Sequence, residues 1–114
     1  MAIIVKTENP SQLLSKIKAS IREEKIVTWE VDSDGDFTHV PEQWKHKAWL
    51  CPKITEDTLN FNILGTKSKS ISTVVYGVYH GRFIEMLLSH FDKSFSSARA
   101  TALPTKNDKI KPSV

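Results

Sequence analysis

The sequence predicts an α+β domain in which about five to six mostly antiparallel strands pack against two helices. Two stretches carry apolar residues at helical spacing, several shorter ones alternate or are β-branched, and an Asp-Gly turn joins two of those. The predicted order is β-α-β-β-β-β-α-β. At 114 residues the chain is near the commonest domain size and too short for two cores. Its 39% apolar and 25% charged residues suit a buried core rather than disorder.

Residues 2–7, Ala-Ile-Ile-Val-Lys-Thr, read as a β-branched strand buried on both faces. Asn9-Pro10 opens a helix, because Asn caps free N–H groups and Pro fits the first helical position. That helix runs from Pro10 to about Glu24, with Leu13, Leu14, Ile17 and Ile21 facing inward. Ile26 to Val31 alternates and predicts a strand, with Val27, Trp29 and Val31 sharing one face. Asp34-Gly35 predicts a type I′ hairpin turn into a returning strand, Phe37 to Val40.

Pro41 to Lys45 interrupts the pattern as one helical turn. Ala48 to Ile54 and Leu59 to Leu64 form two more strands, joined at Glu56-Asp57. In the second, Asn60 and Asn62 alternate with apolar residues, so one face is expected to be wet. Gly65 to Ser70 is a solvated loop. A long helix follows, capped near Ser72 or Thr73 and reaching Lys93, with Phe83, Ile84, Leu87, Leu88 and Phe91 inward. On that helix Val74, Val75 and Val78 fall with Arg82 and Glu85 on the outer side, a face that then needs partial cover. Phe95 to Leu103 reads as a last strand. Residues 1–103 are thus one domain, and 104–114 are expected to be a flexible basic tail.

No run of residues approaches a membrane span. The N-terminus lacks signal-peptide character, and the single Cys51 allows no internal disulfide, which together favour a cytoplasmic location. The formal charge is +3, but the tail supplies +2 of it, leaving thirteen basic and twelve acidic residues in the body. That near balance speaks against a polyanion groove.

Asp32, Asp34 and Asp36 are dense enough for calcium, yet Gly35 and Gln43 stand where an EF-hand loop would not place them, so a charged turn is expected. His39, His46, His80, His90 and Cys51 lack the paired spacing of a zinc site, so no metal or other cofactor is predicted. On the second helix His80 falls on the apolar face one turn from Tyr76. It reads either as a core histidine bonded to Tyr76 or a strand group, or as a general base or acid with Tyr79 and Arg82 holding an anion. The core reading is the stronger, with Gly77 and Gly81 letting the helix approach the sheet. Cys51 before Pro52 reads as a small hydrophobe rather than a nucleophile.

Trp29 and Trp49 are expected in the core, and Trp44 at the surface beside Lys45, Lys47 and Lys53. Three functions fit this sequence. The first is a small non-catalytic binding or accessory protein acting through a protein–protein interface, with a homodimer the simplest case. The motive is that Trp44, Tyr79, Phe37 and Phe95 are more aromatics than one small core is expected to hold. The second is a nucleic-acid binder using Lys45, Lys47, Lys53, Lys67 and Lys69 with tryptophan stacking. The third is a small hydrolase or nuclease centred on His80, Arg82 and a second histidine. The first is preferred.

Overall fold

The computed structural model describes residues 2–66 and 68–109. The chain forms β1 (Ala2–Lys6), α1 (Pro10–Arg22), β2 (Trp29–Val31), β3 (Phe37–His39), β4 (Trp49–Ile54), β5 (Thr58–Leu64), α2 (Thr73–His90) and β6 (Ser97–Ala100). This is the expected α+β order. The strands make one antiparallel sheet in the order β2-β3-β4-β5-β1-β6, so the first strand of the chain lies between β5 and β6.

Alternation along the strands decides which side is covered. Leu59, Phe61 and Ile63 of β5 stand opposite Val5 and Ile3 of β1 and Leu50 of β4, and all are fully buried. Leu13 and Ile17 of α1 and Tyr79, Phe83 and Leu87 of α2 join the same core, so both helices lie on that side of the sheet. Phe83 sits at its centre, edge-on to Trp29 and Phe37 and tilted against Phe61 at 4.5 Å.

The caps follow the sequence. Asn9 Oδ1 accepts from the Gln12 amide at the start of α1, and Ser72 Oγ accepts from Val75 at the start of α2. α1 ends in a Schellman turn: the Glu24 amide donates to Ile21 and the Lys25 amide to Ser20, with Glu24 at φ 61°. That turn corrects the strand expected to start at Ile26. The Ile26 amide also donates to Ser20, which buries Ile26 beneath the helix end, while Val27 is exposed and β2 begins only at Trp29.

Other boundaries differ for equally local reasons. The turn at Asp34-Gly35 is not type I′: Gly35 has φ 86°, but Asp34 is not at positive φ. The Asp32 carbonyl accepts from Gly35 and the Asp36 carbonyl from Asp32, which makes a three-residue loop with a bulge at the glycine. Leu88, expected inward, is exposed, and Met86 takes a core position instead. Gly77 and Gly81 are exposed and do not bring α2 onto the sheet. The last strand spans Ser97–Ala100 alone.

The end of the chain is bound to the sheet as far as Lys109. The Lys109 amide donates to Ile63, and its carbonyl accepts from Gly65, in a parallel bridge beside the end of β5. Asp108 Oδ1 accepts from the Ile63 amide at 2.9 Å and from Asn62 Nδ2 at 3.0 Å, while Oδ2 accepts from the Thr105 amide and hydroxyl. A tail free of the body therefore does not hold for residues 105–109. Nor is Asn62 wet, because this strap buries it. Ile110 to Val114 lie outside the described residues.

Candidate functional site

Of the three residues grouped as a catalytic possibility, two are inside. His80 is 3% exposed, its ring stacked on Tyr76 at 4.2 Å, and its Nδ1–H donates to the Tyr76 carbonyl one turn back at 2.8 Å. The Tyr76 hydroxyl, expected as a partner, donates instead to the Thr101 carbonyl. Arg82 is exposed on the other side of α2, so the helix separates it from His80.

Tyr79 is fully buried and clamps a loop rather than an anion. Its hydroxyl donates to the Trp44 carbonyl at 2.5 Å and accepts from the His39 amide at 3.4 Å. The Thr38 hydroxyl, 3.1 Å away, donates to the Ala48 carbonyl and accepts from the His46 amide. Two side-chain hydroxyls thus satisfy the backbone where β3 leaves the sheet and β4 enters it. This role for Thr38 was invisible in the sequence, since nothing local marks a threonine that serves carbonyls ten residues away.

His39 is a second buried imidazole, and the Arg82 and Glu85 charges of α2 act on it. It is 2% exposed, packs on Trp29 at 4.5 Å, and its Nδ1–H donates to the Thr28 carbonyl at 2.8 Å. Burial holds its pKa below the ordinary histidine value, the Thr28 bond and the Glu85 charge oppose that shift, and the Arg82 charge adds to it. On the other side of the sheet, burial first and the neighbouring Asp36 second push the Cys51 thiol up to about 11. Such a thiol stays protonated at neutral pH and is a poor nucleophile.

Asp32, Asp34 and Asp36 bring carboxylate oxygens within 4.8 Å of one another. Asp32 Oδ1 is already the acceptor for the amides of Asp34 and Asp36, both at 2.9 Å, which is how an Asx turn closes a hairpin.

The aromatic and basic candidates are dispersed. Trp29 is in the core, Trp49 is half-buried, and Trp44 is half-buried against the core rather than free at the surface. Phe37 is fully buried and Phe95 packs on the core, so the four aromatics that suggested a surface patch are absorbed. Lys45 pairs with Glu30 at 3.4 Å, and Lys47 is exposed in the same loop. Lys53 stands on β4, away from both, and Lys69 is exposed in the loop after β5. Lys67 lies outside the described residues.

A cleft of about 580 Å³ opens where β1 ends and α1 begins, lined among others by Lys6, Leu13, Lys16, Asp57, Lys93 and Phe95. None of His80, Tyr79 or Arg82 lines it.

The outer side of α2 carries exposed apolar residues. Val74 is 64% exposed and Leu88 57% exposed, with Gly77 and Gly81 between them. A side-chain carbon added at either glycine would meet nothing within 4 Å among the described residues. The signal was in the sequence, in the valines that fell on the Arg82 side of the helix. Among the described residues no helix is long and apolar enough to cross a membrane. Compared with protein-family models, curated proteins and solved structures, the chain shows no match.

Proposed function

We propose that this chain is a small non-catalytic binding protein of the cytoplasm that acts through a protein–protein interface on the outer face of α2. The supporting observation is the apolar character of that face. A surface helix normally turns polar residues outward, and a helix apolar on every side is normally covered on every side. Seven residues turn a helix to within about 20° of two full turns, so Val74, Gly81 and Leu88 form one line about 21 Å long. Gly77, Val78 and the half-buried Ile84 flank it, and Thr73, Arg82, Glu85 and Ser89 add polarity along its sides.

A second copy of the chain is the simplest occupant. Val74 and Leu88 each lie seven residues from Gly81, so an antiparallel two-fold pair crossing at Gly81 sets each Val74 against the other chain's Leu88. The absent side chain at Gly81 lets the two backbones approach. Sedimentation at micromolar concentrations is expected to show a species of twice the chain's 12.9 kDa, reduced to the monomer by Leu88→Glu. A wild type that stays monomeric at 100 µM would remove the homodimer, and a dimer indifferent to Leu88→Glu would move the interface elsewhere.

A further inference from the structure

The near balance of charge along the chain hides a segregation in space. The four adjacent strands β4, β5, β1 and β6 contain Lys53, Lys6 and Arg99 and not one carboxylate. Register places all three cations on one side. Lys53 stands opposite Asn60, Asn60 opposite Ile4, and Ile4 opposite Arg99, in a single row across the sheet. Lys6 stands opposite Thr58 and Ser97 in the next row. Leu59, Phe61, Ile3 and Val5 point to the helices, so these rows face the side without helices.

We propose that this face binds single-stranded nucleic acid, with phosphates on Lys6, Lys53 and Arg99. Complementary charge selects a polyanion: three exposed cations converge on a strip about 14 Å wide, three strand spacings from Lys53 to Arg99. Exposed Lys106 and Lys109 on the strap flank one end, and Lys16 and Lys93 continue from Lys6 into the cleft at the other. Glu8 and Asp57 line the cleft with Lys16 and Lys93, and Glu56 lies in the β4–β5 turn. Asp36 beside Cys51 and Asp108 on Asn62 lie by the next row, between Lys53 and Trp49, with Asp108 held by the amides of Ile63 and Thr105.

Bases suit the remainder of the face better than an acidic peptide does. The Asn60 amide donates to the Thr58 hydroxyl, but its Oδ1 is shielded from water and has no partner among the described residues. Turning that oxygen to a base N–H relieves an unmade hydrogen bond, which a carboxylate cannot do. Trp49, about 13 Å along β4 from Lys53, stacks on the exposed His46 ring at 6.0 Å and 12°. Aromatic faces beside a cationic track are the usual platform for an unpaired strand. A duplex shows a flat sheet only its phosphates, because its major groove admits a helix or a ribbon.

Fluorescence anisotropy on the full chain tests this with a labelled 12-nucleotide mixed-sequence single strand, as RNA and as DNA, a duplex of the same length, and a 12-residue polyglutamate. Lys6→Gln, Lys53→Gln and Arg99→Gln together are compared with Lys18→Gln, Arg22→Gln and Lys25→Gln, which remove equal charge from the region of α1. The wild type is expected to prefer the single strand. Each phosphate contact in a single strand contributes about 0.7 to the slope of log K against log salt. The sheet variant therefore loses about 2 from that slope and about a hundredfold in affinity at 0.1 M salt, while the α1 variant keeps the wild-type slope. Should the triple variant melt early, Arg99→Gln alone is expected to lower the slope by about 0.7. No binding by the wild type, equal loss in both variants, or equal affinity for polyglutamate or duplex would each overturn the proposal.

Discussion

The two helices cover the same side of the same sheet and finish their outer surfaces differently. α1 buries Leu13 and Ile17 and shows solvent Ser11, Gln12, Ser15, Lys16 and Arg22. α2 buries Tyr76, Tyr79, His80, Phe83, Met86 and Leu87, yet also shows solvent Val74, Gly77, Gly81 and Leu88. The outside of α1 is polar, as a surface helix requires, whereas α2 carries a second apolar side, the face proposed above as an interface.

The largest effect is expected on the inner side of α2. Phe83→Ala should cost about 3–5 kcal/mol of unfolding free energy, since it removes the ring that Trp29, Phe37 and Phe61 surround. Ile17→Ala on α1 should cost about 2–5 kcal/mol by the same cavity argument. Denaturant titration of both measures the contrast, and a Phe83→Ala cost under about 1 kcal/mol would show that α2 does not centre the core.

Next come single polar contacts. Tyr79→Phe should cost about 1–3 kcal/mol, because it leaves the Trp44 carbonyl and the His39 amide without their hydroxyl. Hydrogen exchange should then accelerate at His39 and stay unchanged in α1. Asp108→Ala orphans the Ile63 amide beneath the strap and should cost a similar amount. Removing residues 104–114 should therefore lower the melting temperature. An unaltered melt for both would mean that the strap contributes nothing.

These contrasts also show what the sequence could disclose. α1 was legible because its period, its Asn9-Pro10 cap and its polar outside agree. Leu88 was misplaced because a helix apolar on two sides gives periodicity no single answer. The short β2 was hidden by the Schellman turn, which forms at Glu24 without the glycine that usually announces it. Docking of Asp108 rests on a contact 45 residues away in sequence, and no local pattern encodes that. The row of Lys53, Asn60, Ile4 and Arg99 needed strand order: the alternation placed each residue on a face, but nothing said that β1 inserts between β5 and β6.

Acid should weaken the fold through His39. Its folded-state pKa lies below its ordinary 6.5, chiefly through burial. Between those two values the unfolded chain takes up a proton that the native imidazole refuses. Stability is therefore level above about pH 6.5 and declines as pH falls toward the lowered value. His39→Phe should flatten this decline below about pH 6.5. An unchanged profile would assign it to another group.

The smallest effect returns to the outer side of α2. Gly77→Ala and Gly81→Ala should each stabilise the isolated chain by up to about 1 kcal/mol, the usual helix-interior difference between the two residues. Neither glycine has positive φ, and an added methyl meets no described atom within 4 Å. The same substitutions should act unequally on association. In a pair crossing at Gly81, the methyl at that position falls where the backbones are nearest and weakens the dimer. The methyl at Gly77, one turn off the crossing, weakens it less. Melts at low concentration read the first effect, and sedimentation over a concentration series reads the second. If both alanines stabilise the chain and leave its association unchanged, the glycines are a cost without a partner, and the contrast between α1 and α2 is one of composition alone.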